Sequence, residues 1–268
     1  MDRPLSARQS ALPCLCFRLT VTGRIRAAGC HAVPFAQGAG NLGRSAPAQS
    51  FVMGETPVSR TLVPLVALFV LACVPPVLAG PTVLFLGDSL TAGLGVEPEE
   101  AYPLLLGAKL AGDGLADVRV INGGISGSTS ASAPARLRWY ARVRPDVLFL
   151  ALGANDGLRG LNVAELAKNL EEVVVEAKGQ GMRVLLAGME LPPNYGDVYT
   201  AEFRQVYRNL ADRHGLPLLP FLLEGVGGVA ELNQADGIHP NAEGHRRIAA
   251  HVYPFLRDQL GATASVQP

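Results

Sequence analysis

Short apolar segments alternate with amphipathic segments from Pro81 to the end of the chain. The apolar segments show no polar alternation, which is typical of parallel strands that are covered on both faces. We predict five strands, at Thr82–Leu86, Val118–Asn122, Asp146–Leu152, Met182–Gly188 and Leu216–Pro220. A repeated order of strand, helix and strand favours a doubly wound α/β fold with helices on both faces of the sheet.

Five helices are predicted in the amphipathic segments, at Ala101–Ala111, Ala133–Val143, Val163–Lys178, Thr200–His214 and Ala242–Leu260. In the third helix, Leu166, Leu170 and Val173 recur at helical spacing, while charged residues take the opposite face. Asn241 is a suitable N-cap for the last helix. We expect a single doubly wound, flavodoxin-like domain of three layers with a five-stranded parallel sheet, for which 2-1-3-4-5 is the common strand order.

A different kind of sequence precedes this domain. Residues 1–80 contain seven Lys or Arg and two Asp or Glu, whereas the rest of the chain contains 16 and 21. Leu65–Val74 is an uninterrupted apolar run of ten residues, a length that is typical of a signal peptide and too short to span a membrane. We predict a signal peptide at residues 53–79, cleaved after Ala79, and a folded domain at residues 80–268.

Residues 1–52 are interpreted as an upstream or disordered extension, with translation starting at Met53. An organelle-targeting arm is the alternative for this segment, because it contains Arg and Ser and almost no acidic residues. A periplasmic or secreted location follows from the signal-peptide interpretation.

All four cysteines precede Gly80, so the domain folds without a disulfide. The domain has about 190 residues, which is enough for one core, and a net charge of −5. An acidic domain has no electrostatic reason to bind nucleic acid or anionic lipid. We expect a monomer that binds a small molecule, with no stable membrane insertion after signal cleavage.

Residues that can do chemistry follow the predicted strands. In an open α/β sheet the site lies outside the carboxyl ends of the strands, so segments that follow different strands meet there. The segments concerned are Gly87–Leu90, Gly123–Ser128, Gly153–Gly157 and Asp236–Pro240. This convergence predicts one site built from four distant parts of the chain.

The residue types in these segments match the parts of a serine hydrolase. Ser89 supplies a nucleophilic hydroxyl, and His239 can accept its proton. Asp236 lies three residues before His239 and can orient the imidazole. The backbone N–H groups of Ser89 and Gly127 and the side-chain amide of Asn155 can form an oxyanion hole with three donors.

Each motif also has a purely structural interpretation. Ser89 can be a helix N-cap, Gly127 a turn residue and Asn155 the residue that closes a loop. Asp236–Pro240 can be the entry to a helix. Four independent turns would not be expected to carry the groups of one reaction at the required strand ends, so the catalytic interpretation is favoured. Asp88 is interpreted as a supporting hydrogen-bond partner.

A metal site is another interpretation of the C-terminal segment, which contains Asp236, His239, Glu243, His245 and His251. His245 and His251 are six residues apart, however, and do not share a helix face, and no pair of histidines has i, i+4 spacing. Neither the phosphate-binding P-loop pattern nor the dinucleotide-binding pattern G-x-G-x-x-G follows a predicted strand, and G-x-S-x-G is absent. We predict neither a metal nor a cofactor.

Four segments resemble the motif blocks of the SGNH (GDSL) hydrolases in family order: GDSL at Gly87–Leu90, the Gly127 segment, GAND at Gly153–Asp156 and DGIHP at Asp236–Pro240. Further segments are similar to its bacterial periplasmic branch, known as acyl-CoA thioesterase I, lysophospholipase L1 or arylesterase. These are SGST at Ser126–Thr129, GLRG at Gly157–Gly160, LPPNYG at Leu191–Gly196 and LPLLPF at Leu216–Phe221. The likeness covers nearly all of residues 81–260.

The resemblance implies an SGNH-type fold in which Ser89, Asp236 and His239 are catalytic and Gly127 and Asn155 are oxyanion donors. It also implies a substrate-binding set that comprises Leu158, Arg159, Gly160, Leu161, Leu191, Pro192 and Tyr195. Two positions depart from the family pattern.

One departure is Ala154, which stands where a second glycine is expected and bears on the mobility of the loop. The other is Ser128, which takes a place that is often acidic.

The expected function is a serine esterase that hydrolyses acyl esters and thioesters, including lysophospholipids, through an acyl-enzyme. Leu158, Leu161, Leu191 and Pro192 suggest an apolar lining that suits acyl chains. A carbohydrate O-acetyl esterase and a noncatalytic binding module on the same fold are the alternatives. Activity is expected to fall in acid as His239 protonates.

Overall fold

Five parallel strands form the central sheet of this computed structural model, which describes residues 80–264. The strands are β1 Thr82–Gly87, β2 Arg119–Asn122, β3 Val147–Ala151, β4 Arg183–Ala187 and β5 Leu218–Leu219. Their order is β2-β1-β3-β4-β5, which confirms the prediction. The predicted extension at residues 1–52 and the predicted signal peptide at residues 53–79 lie outside the described residues and stay predictions.

The register of the sheet places β1 between β2 and β3. Val83 of β1 is opposite Val120 of β2 and Val147 of β3. The interior residues of β1, β3 and β4 are buried, whereas those of β2 are only half-buried because β2 is an edge strand. The apolar runs without polar alternation therefore mark the strands that are covered on both faces.

Seven α-helices lie within the described residues. They are α1 Ser89–Ala92, α2 Tyr102–Gly112, α3 Ala133–Tyr140, α4 Ala154–Leu158, α5 Val163–Gly179, α6 Asp197–His214 and α7 Ala242–Ala264. Helix α2 packs against α7, while α3 packs against α5 and α5 against α6. Because crossovers between parallel strands are right-handed, these two groups of helices cover opposite faces of the sheet.

The amphipathic pattern of α5 is confirmed in its packing. Leu166, Leu170 and Val173 are buried against the sheet, and the Asn162 side chain caps the helix by accepting from the Ala164 N–H. Asn241 caps α7 as predicted, since its Oδ1 accepts from the N–H of Gly244 at 3.0 Å. None of the helices within residues 80–264 is long and apolar enough to cross a bilayer.

Candidate active site

The turn after β1 places Ser89 at the first residue of α1. Asp88 caps this helix, and its Oδ1 accepts from the N–H of Leu90 at 3.0 Å. A Cβ at Gly87 would overlap the Thr91 side chain, and one at Gly124 would overlap the backbone of Ala92. Glycine at both positions therefore lets α1 pack closely against the end of β1 and the loop that follows β2.

Ser89, His239 and Asp236 form a continuous chain of hydrogen bonds. Ser89 Oγ lies 2.9 Å from His239 Nε2, and His239 Nδ1 lies 2.6 Å from Asp236 Oδ2. Ser89 and His239 are 150 residues apart in the sequence. With the Nδ1 proton donated to Asp236, the Nε2 lone pair faces the serine hydroxyl, so His239 can act as a base toward Ser89.

Asp236 is held in its charged form by hydrogen bonds. Its Oδ1 accepts from the backbone N–H groups of His239 at 3.0 Å and Ile238 at 2.9 Å. These bonds, with the one from the His239 ring, lower the pKa of Asp236 to about 2. Asp236 therefore stays an acceptor for the ring across the physiological pH range.

Gln234, which was not predicted as a site residue, holds the loop that carries Asp236 and His239. Its backbone N–H donates to the His239 carbonyl at 2.8 Å. Its side-chain amide donates to the carbonyls of Leu94 at 2.6 Å and Pro240 at 3.0 Å. Because Leu94 lies just beyond α1, Gln234 ties the loop of His239 to the segment that carries Ser89.

The three predicted oxyanion donors follow β1, β2 and β3, which are neighbours in the sheet. The Ser89 N–H lies in the first turn of α1, where backbone N–H groups have no partner inside the helix. Gly127 is exposed with a φ of 77°, and its N–H makes no hydrogen bond to any residue in the described part of the chain. Asn155 is half-buried in α4.

Asp88 is fully buried directly beside Ser89. Burial raises the pKa of its carboxyl group to about 6, although the Leu90 N–H and the Asn155 amide act in the opposite direction. The guanidinium of Arg136, another residue not anticipated from the sequence, donates to the carbonyls of Gly87 at 2.7 Å and of Gly123. Arg136 thus connects the carboxyl ends of β1 and β2, next to the turn that carries Ser89.

The predicted substrate-binding residues come together as two adjacent segments, 158–161 and 191–195. The hydroxyl of Tyr195 donates to the Leu158 carbonyl at 3.0 Å, and the Leu191 side chain packs on Gly157. Arg159 donates to the Gly127 carbonyl at 3.0 Å, which sets the first segment beside the oxyanion loop. Gly160, Leu161 and Pro192 are exposed.

Four large apolar side chains are exposed on loops that follow the strands. Leu94, Ile125, Leu161 and Ile238 have between 42% and 49% of their surface exposed. Leu94 lies on the Ser89 side, Ile125 just before Gly127, and Ile238 next to His239. We refer to these four residues as the apolar rim; exposed apolar groups around a polar site favour an apolar ligand.

The departure at Ala154 has a simple explanation in the backbone. Gly153 has a φ of 125°, and a Cβ there would overlap the Tyr207 hydroxyl, which donates to the Leu152 carbonyl. Ala154 is the first residue of α4 and its φ is not positive. Glycine is therefore required at residue 153, and alanine is compatible with the backbone at residue 154.

A groove of about 630 Å³ lies between α5 and α6, behind the segment that contains Gly160 and Leu161. It is lined by Gly160 and Leu161 themselves, by Tyr199 and Val206, and by the ion pair between Glu171 and Arg213. Neither Ser89 nor His239 contributes to its lining. The hydrogen-bonded triad lies beyond the carboxyl end of β1 and not in this groove.

The histidines considered as metal ligands have other partners. His245 Nδ1 accepts from the Tyr102 N–H at 3.4 Å, and His251 Nε2 lies 3.0 Å from the Phe221 carbonyl. Within residues 80–264 no three His, Cys, Asp or Glu side chains form a group that could hold a metal ion.

Acid should weaken the fold through His245, which is only 1% exposed. Burial lowers the pKa of His245 from 6.5 to about 4, so the unfolded chain takes up a proton at a higher pH than the folded one. The contribution of this residue is complete above pH 6.5 and is lost as the pH falls toward 4. We expect a loss of about 2 to 3 kcal/mol in the free energy of unfolding.

Urea titrations at pH 7 and pH 4 of the wild type and His245→Gln measure this effect. The wild type should lose about 2 to 3 kcal/mol more than the variant between the two pH values. Equal losses in both proteins would show that His245 is not the group responsible.

Both the sequence and the fold are similar to those of known proteins. Residues 85–247 match the GDSL-like Lipase/Acylhydrolase family. Esterase TesA of Pseudomonas aeruginosa is 44% identical over 183 residues, which cover 68% of this chain and 90% of that protein. Thioesterase 1/protease 1/lysophospholipase L1 of Escherichia coli K12 is 37% identical over 172 residues, covering 64% of this chain and 81% of that protein.

The crystal structure of TesA is similar in fold, with a TM-score of 0.64 and 43% sequence identity. The alignment covers 66% of this chain and 98% of that one. The shared region therefore contains nearly the whole of the TesA chain in that structure.

Proposed function

This chain belongs to the GDSL-like lipase/acylhydrolase family, and we propose that Ser89, His239 and Asp236 are the residues that perform its chemistry. It is a serine esterase of the SGNH type that hydrolyses ester and thioester bonds. The observation that carries our assignment is the chain of 2.9 Å and 2.6 Å contacts from Ser89 through His239 to Asp236.

In the first half-reaction, Ser89 Oγ attacks the carbonyl carbon of the substrate while His239 Nε2 takes the hydroxyl proton. The carbonyl oxygen becomes negatively charged in the tetrahedral intermediate. His239 then gives its proton to the leaving alcohol or thiol as the bond to that group breaks. The product of this step is an acyl ester on Ser89.

In the second half-reaction, water takes the place of the alcohol. His239 removes a proton from the water as its oxygen attacks the acyl carbon, and the proton is then returned to Ser89 Oγ as the acid leaves. Asp236 stays ionised throughout because its pKa is about 2, and it stabilises the imidazolium that forms in each half-reaction.

The oxyanion is stabilised by the N–H groups of Ser89 and Gly127 and by the Asn155 amide. Removing one such donor typically costs about 10² to 10³ in kcat. We expect this loss of kcat for Asn155→Ala, together with a lower thermal midpoint, because the Asn155 amide is also a hydrogen-bond partner of the buried Asp88 carboxyl. Near-normal turnover in a steady-state ester assay would show that Asn155 is not an oxyanion donor.

The apolar rim supports acyl chains longer than acetyl as substrates. The apolar rim offers exposed apolar surface on the loops next to Ser89, Gly127 and His239 and on the segment 158–161, and burying a methylene group contributes about 0.8 kcal/mol. A lysophospholipid would combine such a chain with a polar leaving group, and we include this class among the proposed substrates.

Hydrolysis of p-nitrophenyl esters from acetate to palmitate, by the wild type and Ser89→Ala, tests the proposed substrate class. Turnover that depends on Ser89 and rises with chain length from acetate to medium or long acyl groups is expected. Activity confined to acetate would favour a carbohydrate O-acetyl esterase instead. If no activity depended on Ser89, the chain would be a binding module and the proposal would be wrong.

We further propose a periplasmic or secreted location for a monomeric mature protein. The apolar run Leu65–Val74 supports export, and all the proposed catalytic groups come from one chain. Intact-mass analysis of the exported protein should give an N-terminus near Gly80, and sedimentation should give the mass of one chain. An uncleaved leader or a dimer would contradict the respective part of this proposal.

A further inference from the structure

A buried carboxyl group lies directly behind the proposed oxyanion hole. Asp156 follows Asn155 in α4 and is only 4% exposed. Its two oxygens accept two hydrogen bonds from the same residue, the fully buried Ser130. Asp156 Oδ1 accepts from the Ser130 hydroxyl at 2.6 Å, and Oδ2 accepts from the Ser130 N–H at 2.9 Å.

A third residue fixes the direction of the serine hydroxyl. Asn169 of α5 donates its side-chain N–H to Ser130 Oγ at 3.0 Å. Because this bond uses a lone pair of the oxygen, the hydroxyl proton is left to point at Asp156. Within residues 80–264 no Lys, Arg or His forms an ion pair with Asp156, so the group is held by hydrogen bonds alone.

The contact between Ser130 and Asp156 also joins two segments that are distant in the sequence. Ser130 lies three residues after Gly127, on the connection that follows β2, whereas Asp156 adjoins Asn155 after β3. Strands β2 and β3 are separated in the sheet by β1, so no backbone ladder joins them. The contact between Ser130 and Asp156 is therefore a direct buried link between the two loops that carry two of the three oxyanion donors.

A second hydrogen bond between these two segments is weaker than the buried one. Arg159 donates to the Gly127 carbonyl at 3.0 Å, but its side chain is exposed to solvent, where a hydrogen bond competes with water. The buried contact, in which Ser130 donates two hydrogen bonds to Asp156, fixes both the distance and the relative orientation of these two residues.

We propose that Asp156 is a positioning residue that sets, through Ser130, the distance between the Gly127 N–H and the Asn155 amide. This inference rests on the proposed function, because it takes those two groups as oxyanion donors. Donors act on charge that develops in the transition state, so a displaced donor lowers kcat and changes KM little. A displacement of about 1 Å can cost 10²-fold in rate.

The variant Asp156→Asn tests this role, because the side-chain amide has the same shape but can accept through only one atom. We expect kcat for a p-nitrophenyl ester to fall about 10- to 100-fold, with KM within about twofold of the wild type. Asp146→Asn is the matched control: Asp146 accepts a hydrogen bond from the Thr82 N–H at the opposite end of the sheet, and its kcat should not change.

Coupling to Asn155 separates positioning from a merely structural role. If Asp156 acts through the oxyanion hole, adding Asp156→Asn to Asn155→Ala should lower kcat by less than about threefold. Fully multiplicative losses, or an unchanged kcat in Asp156→Asn alone, would overturn the proposal. Because Asn155→Ala alone should be slow and Ser89→Ala inactive, a failure of the proposed function itself would be seen separately in those two variants.

A milder variant keeps the proposal testable if Asp156→Asn does not fold. Ser130→Ala removes the hydroxyl and keeps the bond from the Ser130 N–H, so about a tenfold loss of kcat is expected. Ser130→Thr retains the hydroxyl and should recover most of that loss. Equal kcat values in Ser130→Ala and the wild type would contradict the proposal.

Discussion

Replacement of Ser89 by alanine is expected to lower kcat by about 10⁶ for any ester the enzyme accepts. In the proposed mechanism the hydroxyl of Ser89 is the group that bonds to the acyl carbon, and its side chain has one hydrogen bond within the described residues, to His239. The fold should therefore be retained. Steady-state kinetics and a thermal melt of wild type and Ser89→Ala measure both quantities.

The same loss is expected in His239→Ala, and the double variant should be no slower, because the two residues act as one unit. Thr200→Ala removes a hydroxyl that bonds only to the backbone of its own turn and should keep wild-type turnover. A residual kcat within about 100-fold of the wild type in Ser89→Ala would show that another group is the nucleophile.

Asp236→Asn is expected to lower kcat by about 10⁴ at neutral pH. In the wild type, Asp236 Oδ2 accepts the Nδ1 proton of His239. An asparagine amide can instead donate to Nδ1, which moves the ring proton to Nε2 and removes the acceptor that faces Ser89. The loss should be smaller than in Ser89→Ala, and a pH–rate profile of both proteins should accompany the measurement.

The pH profile of the wild type follows from the same geometry. Because the pKa of Asp236 is about 2, this carboxylate does not titrate between pH 5 and 8. The buried Asp88, with a pKa of about 6, does titrate in that range, and an imidazole base is inactive once protonated. We expect kcat/KM to fall as the pH is lowered through that range. A flat profile, or an Asp236→Asn variant within tenfold of the wild type, would contradict the assigned pair.

Strands β1, β3 and β4 could be predicted because they are buried on both faces and their sequences are continuously apolar. Helices α1 and α4 were not predicted, since four and five residues are too few for a periodic pattern. Helix α6 begins at Asp197, three residues before the predicted Thr200. A φ of 85° at Gly196 lets the chain turn directly into this helix.

The candidate catalytic residues could be predicted from the sequence because the proposed reaction requires particular residue types. Ser89, His239 and Asp236 follow strand ends, and the structure brings them into hydrogen-bond contact. Arg136 and Gln234 were not predicted because their partners are backbone carbonyls of distant segments. A carbonyl is the same in every residue, so such contacts leave no pattern in the sequence.

The central claim is that Ser89 is a nucleophile activated by His239. Covalent labelling tests this claim most directly. The purified protein is treated with a fluorophosphonate, digested and mapped by mass spectrometry beside Ser89→Ala and His239→Ala. We predict one adduct, on Ser89, that is absent from Ser89→Ala and forms far more slowly in His239→Ala. An adduct on a different residue, or ester hydrolysis that persists without any label, would contradict the account.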